Sequence, residues 1–237
     1  MALPEIKRPI FTMQMPSQKK AVSFRPFLVG EEKILLMAQQ SGEDRDIVSA
    51  IKQILSNVIK DSWFNPKMLT PFDLEYMFLK LRAKSVSNIM DMSYIDNEDG
   101  KKYDFKVNLD DIEVTWPVGE FINKVKASEE VGIMLRWPTV DMLTNLSSEA
   151  TEEEIVDQMV AGCIASIYDA ENVWIADEQD PAELMAFIDG LDPATYKEIR
   201  KFFDNMPAVV HTIKYKNSLD HDRTIELRSL KDFFTWA

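Results

Sequence analysis

From Thr70 to Val86 the chain carries a helical stretch with almost no purely polar face, and a helix of that kind has to sit in the middle of something. Thr70-Pro71 supplies an N-cap and a first-turn proline. Phe72, Leu74, Tyr76, Met77, Phe78, Leu79 and Leu81 then point apolar side chains in nearly every direction. A surface helix keeps one side charged, so this one is predicted to be the buried centre of the N-terminal half. Before it, residues 30–40 place Ile34, Leu35 and Ala38 on one helical face. Residues 44–59 place Ile47, Val48, Ile51, Ile54, Leu55, Val58 and Ile59 at the i, i+3, i+4, i+7 spacing of an amphipathic helix. Residues 10–15 and 21–27 read as strands around the polar turn Pro16–Lys20, an N-terminal hairpin whose second strand is stopped at Pro26.

From about 87 to 136 the apolar period changes from helical to alternating. Tyr103, Phe105, Val107 and Leu109 fall at every second position after the turn dipeptide Asp99-Gly100, and Ile112, Val114 and Trp116 continue the pattern. A small antiparallel sheet is expected here, with Gly132–Trp137 as a further strand. Helices return at 138–146, 151–168, 181–189 and 193–204. The third helix of this group follows Asp180-Pro181 and the fourth follows Asp192-Pro193, each an acidic N-cap with a first-turn proline. In the helix at 151–168, Ile155, Val156, Met159, Cys163, Ile164 and Ile167 face inward. Strands at 208–216 and 223–228 and the apolar segment Leu230–Trp236, expected to dock, close the chain. The fold class is α+β: a helical N-terminal half with a β-hairpin (1–86), a small central antiparallel sheet (87–137), and an acidic helical second half closed by a C-terminal hairpin (138–237), together one compact unit.

Charge narrows the function classes. The net charge is −13, but residues 1–28 carry five cations and one anion, whereas residues 141–205 carry sixteen acidic and three basic residues. A surface this acidic repels phosphates and anionic membranes, so neither nucleic acid nor a membrane is an expected partner. Acidic helices suit a basic protein partner or serve as a solvated face, with Asp177 and Glu178 as exposed loop acids for the first role. No apolar run approaches the roughly 20 residues that span a bilayer, and Met1–Lys7 lacks the apolar block of a signal peptide, so a cytoplasmic location is expected. The single cysteine, Cys163, agrees with a reducing compartment.

Catalysis finds no home in the pattern. His211 lies between Val209 and Ile213 on the apolar face of a strand, where a core or sheet-face histidine is expected. His221 sits in the polar tip Leu219–Arg223, whose flanking aspartates point apart and make poor ligand geometry. In Asp96–Gly100, aligning Gly100 with the turn glycine of a calcium loop puts Ile95 and Lys106 at its first and last ligand positions, which excludes an EF-hand. Glu152–Glu154 are explained by the positive end of a helix, and Cys163 by its inward face. Gly-rich phosphate loops, Gly-x-Ser-x-Gly elbows and Cys-x-x-Cys pairs are absent from the sequence. The chain is read as non-enzymatic, with no cofactor and no metal.

Two segments carry a resemblance. Phe24-Arg25-Pro26-Phe27 leads through Val29-Gly30 into Glu31-Glu32-Lys33-Ile34-Leu35, and Asp73-Leu74-Glu75-Tyr76-Met77-Phe78 continues to Leu81-Arg82-Ala83-Lys84-Ser85-Val86. In order and spacing these resemble the baseplate hub and hub-assembly proteins of T-even-type contractile-tailed bacteriophages, most strongly over residues 3–40 and 70–90. The resemblance implies a role in building the tail-tip hub in the host cytoplasm, with the phage baseplate hub or other tail proteins as partners and the virion baseplate as a second location. It leaves open a permanent structural subunit, a general acidic tail-assembly chaperone, and self-association. It carries over Arg25, Pro26, Glu31, Glu32, Lys33, Asp73, Glu75, Tyr76, Arg82, Lys84 and Ser85. Of these, Arg25, Glu31, Glu32, Lys33, Arg82 and Lys84 are candidate partner contacts; first-turn and last-turn helix charges are the competing structural reading. Some members of the family it resembles carry cysteine pairs at hairpin tips; the matching tips here hold Asp96–Gly100 and Ser218–Asp222, a departure from any zinc knuckle.

Overall fold

The computed structural model describes residues 6–117, 123–145, 151–228 and 230–233. Contacts group the described residues into two units, one running to Thr115 and resuming at Ala208, the other spanning Trp116–Pro207. In the first unit, β1 (Phe11–Met15) pairs antiparallel with β2 (Lys20–Phe24), and the hairpin buries Met13, Met15, Val22 and Phe24. Helix α1 (Val29–Ser41) ends at Gly42, whose φ of 76° is the left-handed cap that glycine adopts without strain. Helix α2 (Asp44–Val58) buries Ile47, Ile51, Ile54, Leu55 and Val58 along the stripe read from the sequence.

Helix α3 (Pro71–Ser85) is the centre of this unit. It contacts β1 and α2 on one side. On the other, Leu79 and Ala83 join a cluster with Met90, Met92, Val107, Leu109, Val209, Ile225 and Phe233. Burial on two sides is the physical reason the helix lacks a polar face. Its start is fixed by a capping box: the Thr70 hydroxyl accepts the Asp73 N–H at 3.2 Å while the Asp73 carboxylate takes the Thr70 N–H at 3.2 Å. The other Asp73 oxygen accepts the Ser17 N–H at 2.8 Å, tying the helix start to the β1–β2 turn.

After α3, β3 (Ile89–Ile95) and β4 (Lys102–Asn108) form a regular hairpin, with Gly100 at φ 68° in its loop. The strand β5 (Val114–Thr115) is short. In the second unit, β6 (Lys124–Lys126), β7 (Gly132–Leu135), β8 (Ile164–Tyr168) and β9 (Val173–Ile175) form one four-stranded antiparallel sheet in that order. Helices α4 (Val140–Thr144), α5 (Glu152–Cys163), α6 (Pro181–Asp189) and α7 (Pro193–Asp204) complete this unit. Its core holds Ile133, Leu135, Val160, Ile164, Ile188, Ile199 and Phe202, with Trp137 stacked on Phe202 at 4.1 Å. Gly132 faces Tyr168 across the sheet, and a Cβ there would meet the ring at 2.3 Å, so the glycine makes room for the tyrosine.

The chain returns to the first unit through β10 (Ala208–Val209), which pairs with β5, so the second unit is inserted between two neighbouring strands. Then β11 (His211–Lys216) and β12 (Asp222–Leu227) form a hairpin, and α8 (Leu230–Phe233) seats Phe233 at 1% exposure. Phe234 and Trp236 of the expected docking segment lie outside the described residues.

The α+β class agrees with the expectation, while several boundaries differ from it. The helix expected over 151–168 stops at Cys163, because Ile164–Tyr168 hydrogen-bonds to strands on both sides. Ile164 and Ile167, spaced three apart, fit a helix face as well as a strand. The expected single sheet over 87–137 is divided: β3–β4 and β5 belong to the first unit, while β7 joins β6 and β8 in the second. Alternation marks a face but does not name the partner strand. The strand expected over 208–216 is likewise two, because Ala208–Val209 and His211–Lys216 pair with different neighbours. The part of the 138–146 helix beyond Asn145 lies outside the described residues.

Candidate partner-binding surfaces

The Arg25–Glu31 pair shows why the first motif has its spacing. Pro26 ends the strand register and α1 begins three residues later, at Val29, which brings the Glu31 carboxylate back over the Arg25 guanidinium. The two are bidentate at 2.7 and 2.9 Å, with the side chains only 19% and 9% exposed. Glu31 also accepts the Leu28 N–H at 2.7 Å, and Arg25 donates to the Pro26 carbonyl. Burial pushes the Glu31 carboxyl up, but Arg25 and the Leu28 N–H outweigh it and hold the group below its ordinary value. Glu32 is half-buried and Lys33 exposed on the same turn.

The second motif locks inward as well. The Phe27 N–H donates to the Ser85 hydroxyl at 3.0 Å, and that hydroxyl donates to the Leu81 carbonyl at 2.7 Å, linking the two motif segments directly. Lys84 pairs with Asp110 at 3.0 Å, and Lys80 donates to the Asp110 carbonyl at 2.7 Å. Arg82 is buried at 7% exposure, which lowers its pKa. Glu75 is pushed up to about 7, first by burial and then by the nearby Asp232 carboxylate. The motif residues Arg25, Glu31, Asp73, Lys84 and Ser85 therefore bond to the chain's own groups, which leaves Glu32 and Lys33 as the outward members of the candidate set.

A polar latch that the sequence does not announce joins the tips of the β3–β4 and β11–β12 hairpins. Asp96, fully buried, accepts from the Tyr215 hydroxyl at 2.5 Å and from Arg223 Nε at 3.1 Å. Glu98 accepts from Asn217 Nδ2 at 2.6 Å and lies 2.8 Å from His221 Nδ1. Asp99 accepts from the Tyr103 hydroxyl at 2.6 Å and from the Ser218 hydroxyl at 2.8 Å. Burial pushes the Asp96 carboxyl up, but the Tyr215 hydroxyl, the Glu98 N–H and Arg223 bring it below its usual range. Asp99 is held far below its own, chiefly by Tyr103. His221 thus meets Glu98 from the other hairpin rather than its flanking aspartates. Among the described residues no group of three or more histidine, cysteine or acidic side chains is placed to hold a metal. His211 is half-buried beside Ile213 and Tyr215 on the inner face of β11.

In the second unit, Arg136 organises the acidic loop. Its Nη atoms bracket Asp177 at 2.5 and 2.6 Å, its Nε donates to the Gly162 carbonyl at 3.0 Å, and its N–H donates to the Cys163 carbonyl at 2.8 Å. A guanidinium at the C-terminal end of α5 complements the negative pole of the helix. Asp177, read from sequence as an exposed loop acid for a partner, is exposed but bound to Arg136, and Glu178 beside it is exposed as well. Cys163 is fully buried, and burial pushes its thiol up to about 12. Glu153, Asp157 and Asp189 line an open groove of about 550 Å³ over Val156, Ile188 and Leu191, where the Tyr196 hydroxyl donates to Asp157 at 2.6 Å.

These features define an acidic α+β protein of small antiparallel sheets, whose two motifs clasp its own first turns and helix ends. Among the described residues, no helix is long and apolar enough to cross a membrane. A family model described as T4 bacteriophage base plate protein matches residues 8–235, and the chain belongs to that family: it is a T4-type phage baseplate protein. No curated protein and no solved structure matches it.

Proposed function

We propose that this chain is a non-enzymatic assembly protein of the baseplate hub, acting in the host cytoplasm by binding other tail proteins. The observation that carries the reading is the baseplate family match, which extends over nearly the whole chain and both contact units. The site geometry supports it in two ways. The prominent charged motifs are used internally as clasps, which suits a preformed scaffold. The one thiol is held protonated by burial, which removes its nucleophilic form at neutral pH. Partner recognition falls to surfaces outside the clasps: the outward turn with Glu32 and Lys33, and the acidic second unit. Quantitative mass spectrometry of mature particles beside tail-assembly intermediates tests the assembly role. The chain is expected on intermediates and depleted from finished virions. Retention at fixed stoichiometry in finished virions would make it a permanent structural subunit instead.

A further inference from the structure

The sheet of the second unit has two unlike edges. At one, β6 shows exposed Lys124 and Lys126 on either side of buried Val125, charges that discourage another strand from adding on. The other edge, β9, pairs with β8 in the register Ser166↔Ile175, Ile167↔Trp174 and Tyr168↔Val173, and has no strand on its outer side among the described residues. Its side chains are Val173, Trp174 and Ile175, exposed by 65, 39 and 43%. Successive strand residues point to opposite faces, so apolar surface is presented both above and below a backbone edge with no strand partner. The strand is only three residues long and its Ile175 carbonyl already accepts from Gln179 Nε2 at 3.1 Å, but it carries no lysine, proline or bulge to turn another strand away. Both ends are acidic. Asp169 and exposed Glu171 precede the strand, and exposed Glu178 and Asp180 follow it.

That charge pattern selects the occupant. If a second copy added through its own β9, parallel or antiparallel, acidic ends would meet acidic ends, and like charges facing each other across strands are destabilising. A strand with apolar residues at alternate positions and lysine or arginine at its ends meets the same edge with its side chains matched and its charges opposed. We propose that β9 is a docking edge to which an extended, basic-ended segment of another tail protein adds as a fifth strand. The identity of the partner as a tail protein rests on the assembly role proposed above; the edge itself rests on β9.

The test titrates the purified full chain with a synthetic strand peptide of alternating valine and threonine between lysine pairs. Two control peptides carry glutamate in place of lysine, or a central proline. Amide hydrogen exchange should show protection of Val173 and Ile175 at saturation with the lysine peptide alone, with affinity falling as salt is raised. In the Val173→Lys chain, checked by its melting temperature, affinity should drop about tenfold or more, because a charge on the edge opposes strand addition. Unprotected β9 amides at saturation overturn the proposal without recourse to any variant, as does equal binding of the glutamate peptide or undiminished binding by Val173→Lys. Co-sedimentation with tail intermediates separates the two claims. A Val173→Lys chain that joins intermediates as wild type does overturns the docking edge and leaves the assembly role standing. A wild-type chain that joins none overturns the assembly role, and the peptide titration still decides the edge.

Discussion

Replacing Glu75 with glutamine should stabilise the protein in a way that depends on pH. The side chain leaves the central helix α3 partly buried, with the Asp232 carboxylate near it, and its pKa rises from an ordinary 4.5 to about 7. Folding therefore takes up a proton between those two values. The stability this group contributes is fully present below pH 4.5 and is lost as pH rises through about 7. A displacement of that size corresponds to about 3 kcal/mol of native-state stability lost once the carboxylate is forced to ionise in place. Glutamine keeps the shape and never ionises. Urea unfolding followed by circular dichroism at about pH 5 and about pH 8.5 is the assay, with ΔG taken from the midpoint and slope. Glu75→Gln should match wild type at the lower pH and exceed it by about 2–3 kcal/mol at the higher. Other titrating groups contribute equally to both proteins and cancel in the comparison. A Glu75→Gln advantage that is the same at both pH values would refute the reasoning, since it would mean that Glu75 keeps an ordinary pKa in the fold.

Leu74→Ala or Phe78→Ala, at side chains 2% and 0% exposed, should cost about 2–5 kcal/mol in the same unfolding assay. Wild-type stability with altered partner binding would instead make α3 a docking face. Glu31→Gln should cost about 1–3 kcal/mol, because it leaves Arg25 half-paired in a largely buried site. The penalty should shrink as pH falls, because the lowered Glu31 carboxyl contributes its stability above the ordinary carboxylate range and loses it on protonation; calorimetry across acid pH reads this. Asp177→Asn should lower stability by up to about 1 kcal/mol, reduced by salt because Asp177 is largely exposed, whereas Glu178→Gln should leave it unchanged. Equal melting temperatures for the two would mean that the Arg136 bracket contributes nothing.

Elements whose causes are local could be read directly from the residues. Thr70-Pro71, Asp180-Pro181 and Asp192-Pro193 set helix starts because a capping oxygen and a fixed φ act within a single turn. The stripe of α2 and the missing polar face of α3 told which helix lies under which solvent, because burial and helical period are written in the same residues. Charge could be counted, but its use could not be read. Glu31 and Asp177 look alike as letters in acidic stretches, and only the folded chain places Arg25 and Arg136 against them, the second across 41 residues. Strand partners were equally out of reach: Ile164–Tyr168 became strand because β7 and β9 offered hydrogen bonds on both sides, and the hairpin tips met through Asp96, Glu98 and Asp99 across more than a hundred residues. Hydrogen bonds and ion pairs act over a few ångströms, so what depends on distance along the chain was legible in the sequence, and what depends on distance in space was decided by the tertiary structure alone.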